Sequence, residues 1–327
     1  MAAVARAAGV SVMTVSYAYS RPDRVSEASA AKVRAAAERL GYPGPHPGAR
    51  SLRRGRAGSL GIVLGEPLAY AFEDPQAARF LAGVAEVCAG EGVGLTLVPI
   101  TGADADVDRV ADAVVDGFVV WTTAEDDPVV DAVAGTALPA VVHGGPHRHL
   151  PVVTIDNRAA AEAVGRVAFA GAQRPAVLSF PVDRQRAREV RLDPDPAVAT
   201  FPITRERLEG YRDAAAVPLL VAVCARNSAA EGKALAAELL AGHDPPDAIA
   251  AMSDELALGA LEAAAEAGIE LALTGWDDTP AAAPAGLTTV WQSLQEQGAE
   301  CARIALGRAR ATDEPRWRVV RRASTRR

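Results

Sequence analysis

Trp276, Asp277 and Asp278 stand together directly after a short apolar run at 271–274. A carboxylate in that place accepts hydrogen bonds from hydroxyl groups, and a neighbouring aromatic plane offers stacking to the CH face of a polyhydroxylated ring. The same residues also suit a capped turn, because Asp is common where a strand ends. A second set is Val12, Met13, Thr14, Ser16 and Tyr17, on a helical pattern that follows Gly9 and Ser11. There Val15 and Tyr19 share an inner face, while Val12, Met13, Ser16 and Tyr17 point outwards. Apolar and aromatic side chains on such a face can meet base edges and thymine methyl groups in a major groove. A third set is Leu52 among Arg50, Arg53, Arg54 and Arg56, with nothing local to bury the leucine. The stretch reads either as a solvated basic linker or as a short helix whose leucine wedges between base steps. A helix of this length forms only against a partner.

Catalytic patterns are lacking. His143, His147 and His149 cluster without an acidic residue at metal-ligand spacing, which reads as a solvated loop rather than a zinc site. The acidic residues at 125–127 read as another solvated loop. The sequence has no nucleophile elbow, phosphate-binding loop or dinucleotide fingerprint. An enzyme is therefore not expected, nor a metal or cofactor.

The elements that must hold these residues follow from periodicity. Residues 2–8 and the stretch after Ser11 form two short helices about Gly9, which permits the left-handed turn between them. Ser11 is placed to cap the second helix. Ser26 caps a third, running to about Leu40 with an apolar stripe of Val33, Ala36, Ala37 and Leu40. Together they predict a helix-turn-helix head. Residues 43–48 are a Pro/Gly linker. Beyond it, apolar runs at 59–64, 95–99, 117–121, 140–143, 176–179, 219–224, 248–252 and 271–274 suit buried parallel strands. Helical patterns at 75–90, 159–171, 229–241 and 255–268 lie between several of them. That alternation predicts parallel sheets covered by helices, with ligands at the carboxyl ends of the strands.

Charge separates the two parts. Residues 1–58 carry ten Lys/Arg and three Asp/Glu, a balance of +7, so a chain of net charge −7 leaves −14 on the rest. A basic head suits phosphate binding, and an acidic body discourages non-specific nucleic-acid contact. Cys88, Cys224 and Cys301 lie far apart and read as buried thiols. No run of about eighteen apolar residues occurs, so a soluble cytoplasmic protein without membrane contact is expected.

Several stretches resemble, in order, the lactose/galactose-repressor (LacI) family of bacterial transcription factors. They are AGVSVMTVSYAYSRPDRVS, GY, ARSLRRGR, LGIVLG, IDNRAAAEAVG, RERLEGYRDA, AMSDELALGAL, TGWDDTP, GLTTVWQS and RRAST. The resemblance implies an α + α/β chain: a helix-turn-helix head at 1–44, a linker and hinge helix at 45–58, and a two-lobed periplasmic-binding-protein-like core at 59–325. Lobe one is expected at about 59–155 and 287–310, lobe two at about 156–286 and 311–325. The implied function is a homodimeric, sequence-specific DNA-binding regulator, a repressor of double-stranded operator DNA, controlled by a small-molecule effector, a saccharide, between the lobes. Val12, Met13, Thr14, Ser16, Tyr17, His46, Arg50, Leu52 and Arg53 are its expected DNA contacts. Phe72, Asp74, Arg207, Asn227, Ser253, Trp276 and Asp277 are its expected effector contacts. The alternative is a cytoplasmic sugar-binding protein with a degenerate head. Tyr17 departs from the arginine that many members carry, which removes a bidentate guanine contact. Residues 210–218 and 268–274 are shorter than the family pattern, suggesting a trimmed lobe two or lost inducibility.

Overall fold

The structure, a computed structural model, describes residues 1–44, 56–65, 72–103, 105–145, 149–310 and 316–326. Its contacts divide the chain into two units, Met1–Gly58 and Ser59–Arg327.

The first unit has three helices, α1 (Ala2–Ala8), α2 (Val12–Ser20) and α3 (Glu27–Arg39). Gly9 takes φ 65°, and the amides of Gly9 and Val10 turn back onto the carbonyls of Arg6 and Ala5 to close α1. Ser11 Oγ accepts from Thr14 N at 3.0 Å and starts α2; Ser26 Oγ accepts from Ser29 N at 3.3 Å and starts α3. Val4, Ala5, Val15, Val33, Ala36 and Ala37 form the core, flanked by Tyr19 and Tyr42 in an edge-to-face pair. Leu40, expected on that stripe, instead caps α3 and is half exposed, so the stripe ends at Ala37.

The second unit has two sheets. In the first lobe β1 (Ser59–Leu64), β2 (Gly94–Pro99), β3 (Phe118–Trp121), β4 (Ala140–His143) and β5 (Val152–Val153) form a parallel sheet in the order β2-β1-β3-β4-β5. Helices α4 (Pro75–Glu91), α5 (Ala105–Ala111) and α6 (Pro128–Gly135) intervene. Alternate strand residues serve opposite faces, as a period of two requires. Leu60, Ile62, Val119 and Val141 enter one core, and Val63, Phe118, Val120 and Val142 the other.

The second lobe contains α7 (Asn157–Ala168), β6 (Pro175–Ser179), β7 (Glu189–Leu192), α8 (Pro202–Ala214), β8 (Leu220–Val223), α9 (Ala229–Leu240), β9 (Ala248–Ala251), α10 (Asp254–Ala267), β10 (Ala272–Asp277), β11 (Thr288–Trp291) and, near its far end, β12 (Arg318–Val320). The strand order is β12-β11-β10-β9-β6-β8-β7, with only the edge pairs β7–β8 and β11–β12 antiparallel. In the segments short by the family pattern, α8 runs on to Ala214 and α10 closes at Gly268 (φ 67°).

One expected boundary moves. The resemblance puts residues 287–291 in lobe one, but β11 pairs with β10, so the return begins only after Trp291. Helix α11 (Leu294–Ala305) then packs on α4 in lobe one. A Cβ at Gly83 would overlap Gln295 O, and one at Gly298 would overlap Phe80 O. These two glycines let the helix backbones approach closely and fix where the start of α11 stands. Cys88, Cys224 and Cys301 are buried and free.

Candidate functional site

In the head, Val12 and Met13 are 47% and 62% exposed on α2, as befits residues that reach outwards. Tyr17 and Thr14 are half buried, and the Thr14 hydroxyl lies 2.9 Å from that of Ser11. Ser16 was expected outwards and is buried. It follows Val15 by about 100° around the helix, on the flank of the packed face, where a short side chain is covered. His46, Arg50, Leu52 and Arg53 lie outside the described residues.

A cavity of about 100 Å³ lies between the lobes where strands of both sheets end. Trp121 and His143 reach it from the ends of β3 and β4, and Asp277 from the end of β10. Phe180 and Asn227 follow β6 and β8, while Arg207 comes from α8. This is the strand-end position that an open α/β sheet offers a ligand.

Arg207 is buried and held by two hydrogen bonds. Nε donates to Asn157 Oδ1 at 3.0 Å and Nη1 to Met252 O at 2.7 Å. Its guanidinium lies 3.8 Å from the centroid of the Trp276 ring and 5.4 Å from that of Phe180. Burial lowers its pKa to about 10, opposed by the Asp277 charge, so it stays a cation at neutral pH. Asp277 takes φ 102° and accepts from Gln292 Nε2 at 2.7 Å. Burial raises its pKa to about 7, against the pull of Arg207 and with help from Asp254 and Asp74. Asp254, behind it, accepts from Thr279 N at 2.6 Å and Thr289 Oγ1 at 2.7 Å, and burial raises it to about 6.

From Asp277 a chain of amides crosses to lobe one. Gln297 Nε2 donates to Gln292 Oε1 at 3.1 Å, and Gln297 Oε1 lies 2.9 Å from His143 Nε2. His143 stacks on Trp121, with centroids 4.7 Å apart and planes 6° apart, and Phe80 closes the group at 4.8 Å from the imidazole. His143 is therefore not in a solvated loop as expected. It is the last residue of a buried strand, and burial lowers its pKa to about 4.

Of the acidic residues at 125–127, Asp126 is exposed as expected, whereas Glu125 and Asp127 are engaged. Asp127 caps α6 and pairs with Arg184 of lobe two, and Glu125 accepts from Arg205 Nη2 at 2.8 Å. Glu125 N also donates to Thr200 O at 2.8 Å. With Asn227 Nδ2 at 3.5 Å from Asp74 Oδ1, these contacts hold the lobes together.

Residues 1–44 match the profile of the bacterial regulatory proteins of the lacI family, and residues 183–326 that of periplasmic binding protein-like domains. The HTH-type transcriptional regulator IpsA of Corynebacterium glutamicum is 36% identical over 317 residues, covering 91% of this chain and 88% of IpsA. The chain belongs to the LacI family of bacterial regulatory proteins. Among solved structures, a LacI-family transcriptional regulator from Corynebacterium glutamicum superposes with a TM-score of 0.72 at 28% identity, over 99% of this chain and 98% of the other. The transcriptional regulator CelR, solved in complex with cellobiose, superposes with a TM-score of 0.64 at 26% identity, over 98% of each chain. As a LacI-family member the protein is a DNA-binding transcriptional regulator, with a helix-turn-helix head and a two-lobed α/β core.

In this LacI-family protein the cavity brings together four of the seven expected effector residues: Asp74, Arg207, Asn227 and Asp277. The other three do not line it. Phe72 is 64% exposed on the surface, because α4 begins only at Pro75 with Asp74 as its cap. Ser253 is fully buried, caps α10 and donates to Asn227 Oδ1. Trp276 points to the opposite face from Asp277, as successive strand residues do, and supports Arg207 from behind. Gln76, Trp121, His143, Gln292 and Gln297 line the cavity without having been expected. Of these, His143 left a signal: a titratable residue ending an apolar run.

Proposed function

We propose that this LacI-family regulator is a homodimeric repressor whose effector is a polyhydroxylated small molecule, a saccharide or close derivative, held in the interlobe cleft. The observation that carries this reading is the lining. Two carboxylates, Asp74 and Asp277, stand with the fixed cation Arg207 and several side-chain amides around an aromatic-walled cavity. Carboxylates and amides match hydroxyl groups, which both donate and accept, and ring faces match CH groups. Arg186 also lines the cavity, so its two carboxylates stand against two arginines. The cellobiose complex of the related CelR supports the same class of ligand.

On the DNA side, Val12, Met13 and Tyr17 are the base readers in this proposal, with Thr14, Ser16, His46, Arg50, Leu52 and Arg53 contacting the duplex around them. One short recognition helix reads few base pairs, so two copies are needed for a specific site. The intact caps of α2 and α3 count against a degenerate head. In this proposal the protein works on DNA in the cytoplasm and has no catalytic role; among the described residues no helix is long and apolar enough to cross a membrane.

The test pairs a thermal-shift screen of carbohydrates and nucleosides with gel shifts on DNA flanking the gene. A ligand of the native state raises its stability. Stabilisation by a sugar that also changes operator affinity is the expected result. Stabilisation by nucleosides or phosphates alone overturns the effector class, and absence of any retarded DNA overturns the operator.

A further inference from the structure

Seven buried side-chain atoms among the described residues have no hydrogen-bond partner, and two of them belong to residues lining the cleft: Gln76 Nε2 and His143 Nδ1. Gln76 is 6% exposed and His143 4%, so bulk water does not satisfy them. Both are delivered to one corner of lobe one. Gln76 stands one helical turn before Phe80 on α4, on the same face, and the Phe80 ring lies 4.8 Å from that of His143. A buried polar atom without a partner costs free energy, and a native site that keeps one needs a reason.

The state of His143 is set from the far side of the cleft. Gln292 Nε2 donates to Asp277 Oδ1, which turns its amide oxygen the other way. Gln292 Oε1 then accepts from Gln297, which leaves Gln297 Oε1 to accept from the imidazole. The hydrogen of the ring is thereby held on Nε2, and Nδ1 carries a lone pair. Because burial keeps His143 far below its usual pKa, the ring is neutral and Nδ1 is an acceptor at physiological pH. Gln292 and Gln297 are positioning residues in this arrangement.

We infer that His143 and Gln76 select one hydroxyl group of the effector, which donates to His143 Nδ1 and pairs with the Gln76 amide. The inference rests on the reading of the cleft as a saccharide site and names the residues that discriminate there. A carbonyl, ether or fluorine in the same place has no hydrogen to give and leaves Nδ1 buried and unpaired. Sites built to bond a hydroxyl reject such analogues far more strongly than apolar pockets reject a missing methylene.

Calorimetric titration of the full-length protein with D-glucose, D-galactose and cellobiose, and with the monofluoro-deoxy derivatives of whichever binds, tests this. The wild type should lose roughly tenfold in affinity at one fluorinated position. In His143→Gln, whose amide reaches Gln297 but leaves nothing where Nδ1 stood, that positional penalty should vanish. In His143→Asn, whose amide falls at the Nδ1 position, it should persist. Gln76→Leu should reduce the penalty at the same position, and it lies outside the ring stack should His143→Gln not fold. If a sugar binds and the penalties are unchanged in His143→Gln and Gln76→Leu, the inference is wrong and the saccharide reading stands. If none of the sugars binds the wild type, both fall.

Discussion

Arg207 Cζ lies over the Trp276 ring, 3.8 Å from its centroid, although Trp276 contributes nothing to the cavity wall. From this place over the ring, Nε and Nη1 donate to Asn157 Oδ1 and Met252 O. A ring that looks like part of a sugar platform in the sequence is thus the bed on which the cleft's cation is fixed.

A lysine at this position has neither the plane to stack nor the fork to bond both acceptors. Arg207→Lys should therefore lower stability by about 1.5–3 kcal/mol, the usual cost of losing hydrogen bonds to a buried charge. Urea unfolding measures it. A midpoint within error of wild type would mean the stack and its bonds contribute nothing.

Asp277 predicts a pH dependence. Its folded pKa of about 7 lies above its ordinary value of 3.8. Between these values the native state holds a proton that the unfolded chain has lost, so its contribution to stability falls as pH rises from about 4 to about 7 and is level above. Asp254, raised to about 6, acts in the same direction, while His143, lowered to about 4, removes stability as pH falls below 6.5. The groups around Asp277 are Arg207, Asp254, Asp74 and Gln292. The stability difference between wild type and Asp277→Asn should change from pH 4 to 7 and be constant from 7 to 9; a flat difference throughout would refute the shift. The same variant should bind effector at least about tenfold more weakly and DNA unchanged.

Arg184 with Asp127 and Arg205 with Glu125 tie the lobes at one rim of the cleft. Replacing both arginines with Met should shift the core towards an open form, increase its radius of gyration in X-ray scattering, and weaken effector binding roughly fivefold or more. High salt should act in the same direction on the more exposed Arg205 pair. An unchanged scattering curve would remove these pairs as a latch.

In the head, Tyr17→Ala should relax preference at one operator position by about 1–3 kcal/mol, read from gel shifts over single-base variants of the site. Equal weakening on every sequence would make Tyr17 a phosphate contact.

Gly298→Ala forces a Cβ onto the backbone of α4. Overpacking of this kind costs about 1–3 kcal/mol. Because it also displaces Gln297, affinity for effector should fall with stability, whereas Gly90→Ala, which meets open space, should leave affinity unchanged.

The buried strands were legible because both their faces are apolar: the runs at 59–64 and 140–143 agree with β1 and β4 to the residue. Edge strands were not. Glu189–Leu192 alternates exposed polar and apolar residues on one sheet margin, and Val152–Val153 is too short for any period. The helix Pro202–Ala214 is rich in Arg and Glu and hides its function in one buried arginine. In the cleft, Asp277 and Arg207 carried a resemblance, but the His143–Gln297 contact spans 154 positions, and no local spacing announces it. Ser16 and Ser253 show the converse: good hydrogen-bonding types whose short side chains are covered by their own helix ends and neighbours.

The placement of α11 bears on how the protein is made. Lobe one begins at Ser59, yet Leu294, Cys301, Ala302 and Ile304, from the far end of the chain, complete its apolar core. A nascent chain that has emerged only as far as β11 has most of lobe two's sheet but presents α4 with an uncovered apolar face. Lobe one must wait, partly open, through the synthesis of its neighbour. The site then arises last of all, because Gln292 and Gln297 sit on the segment whose docking closes that core. A cleft lined by Gln292 and Gln297 therefore needs the chain to be translated past Ala305.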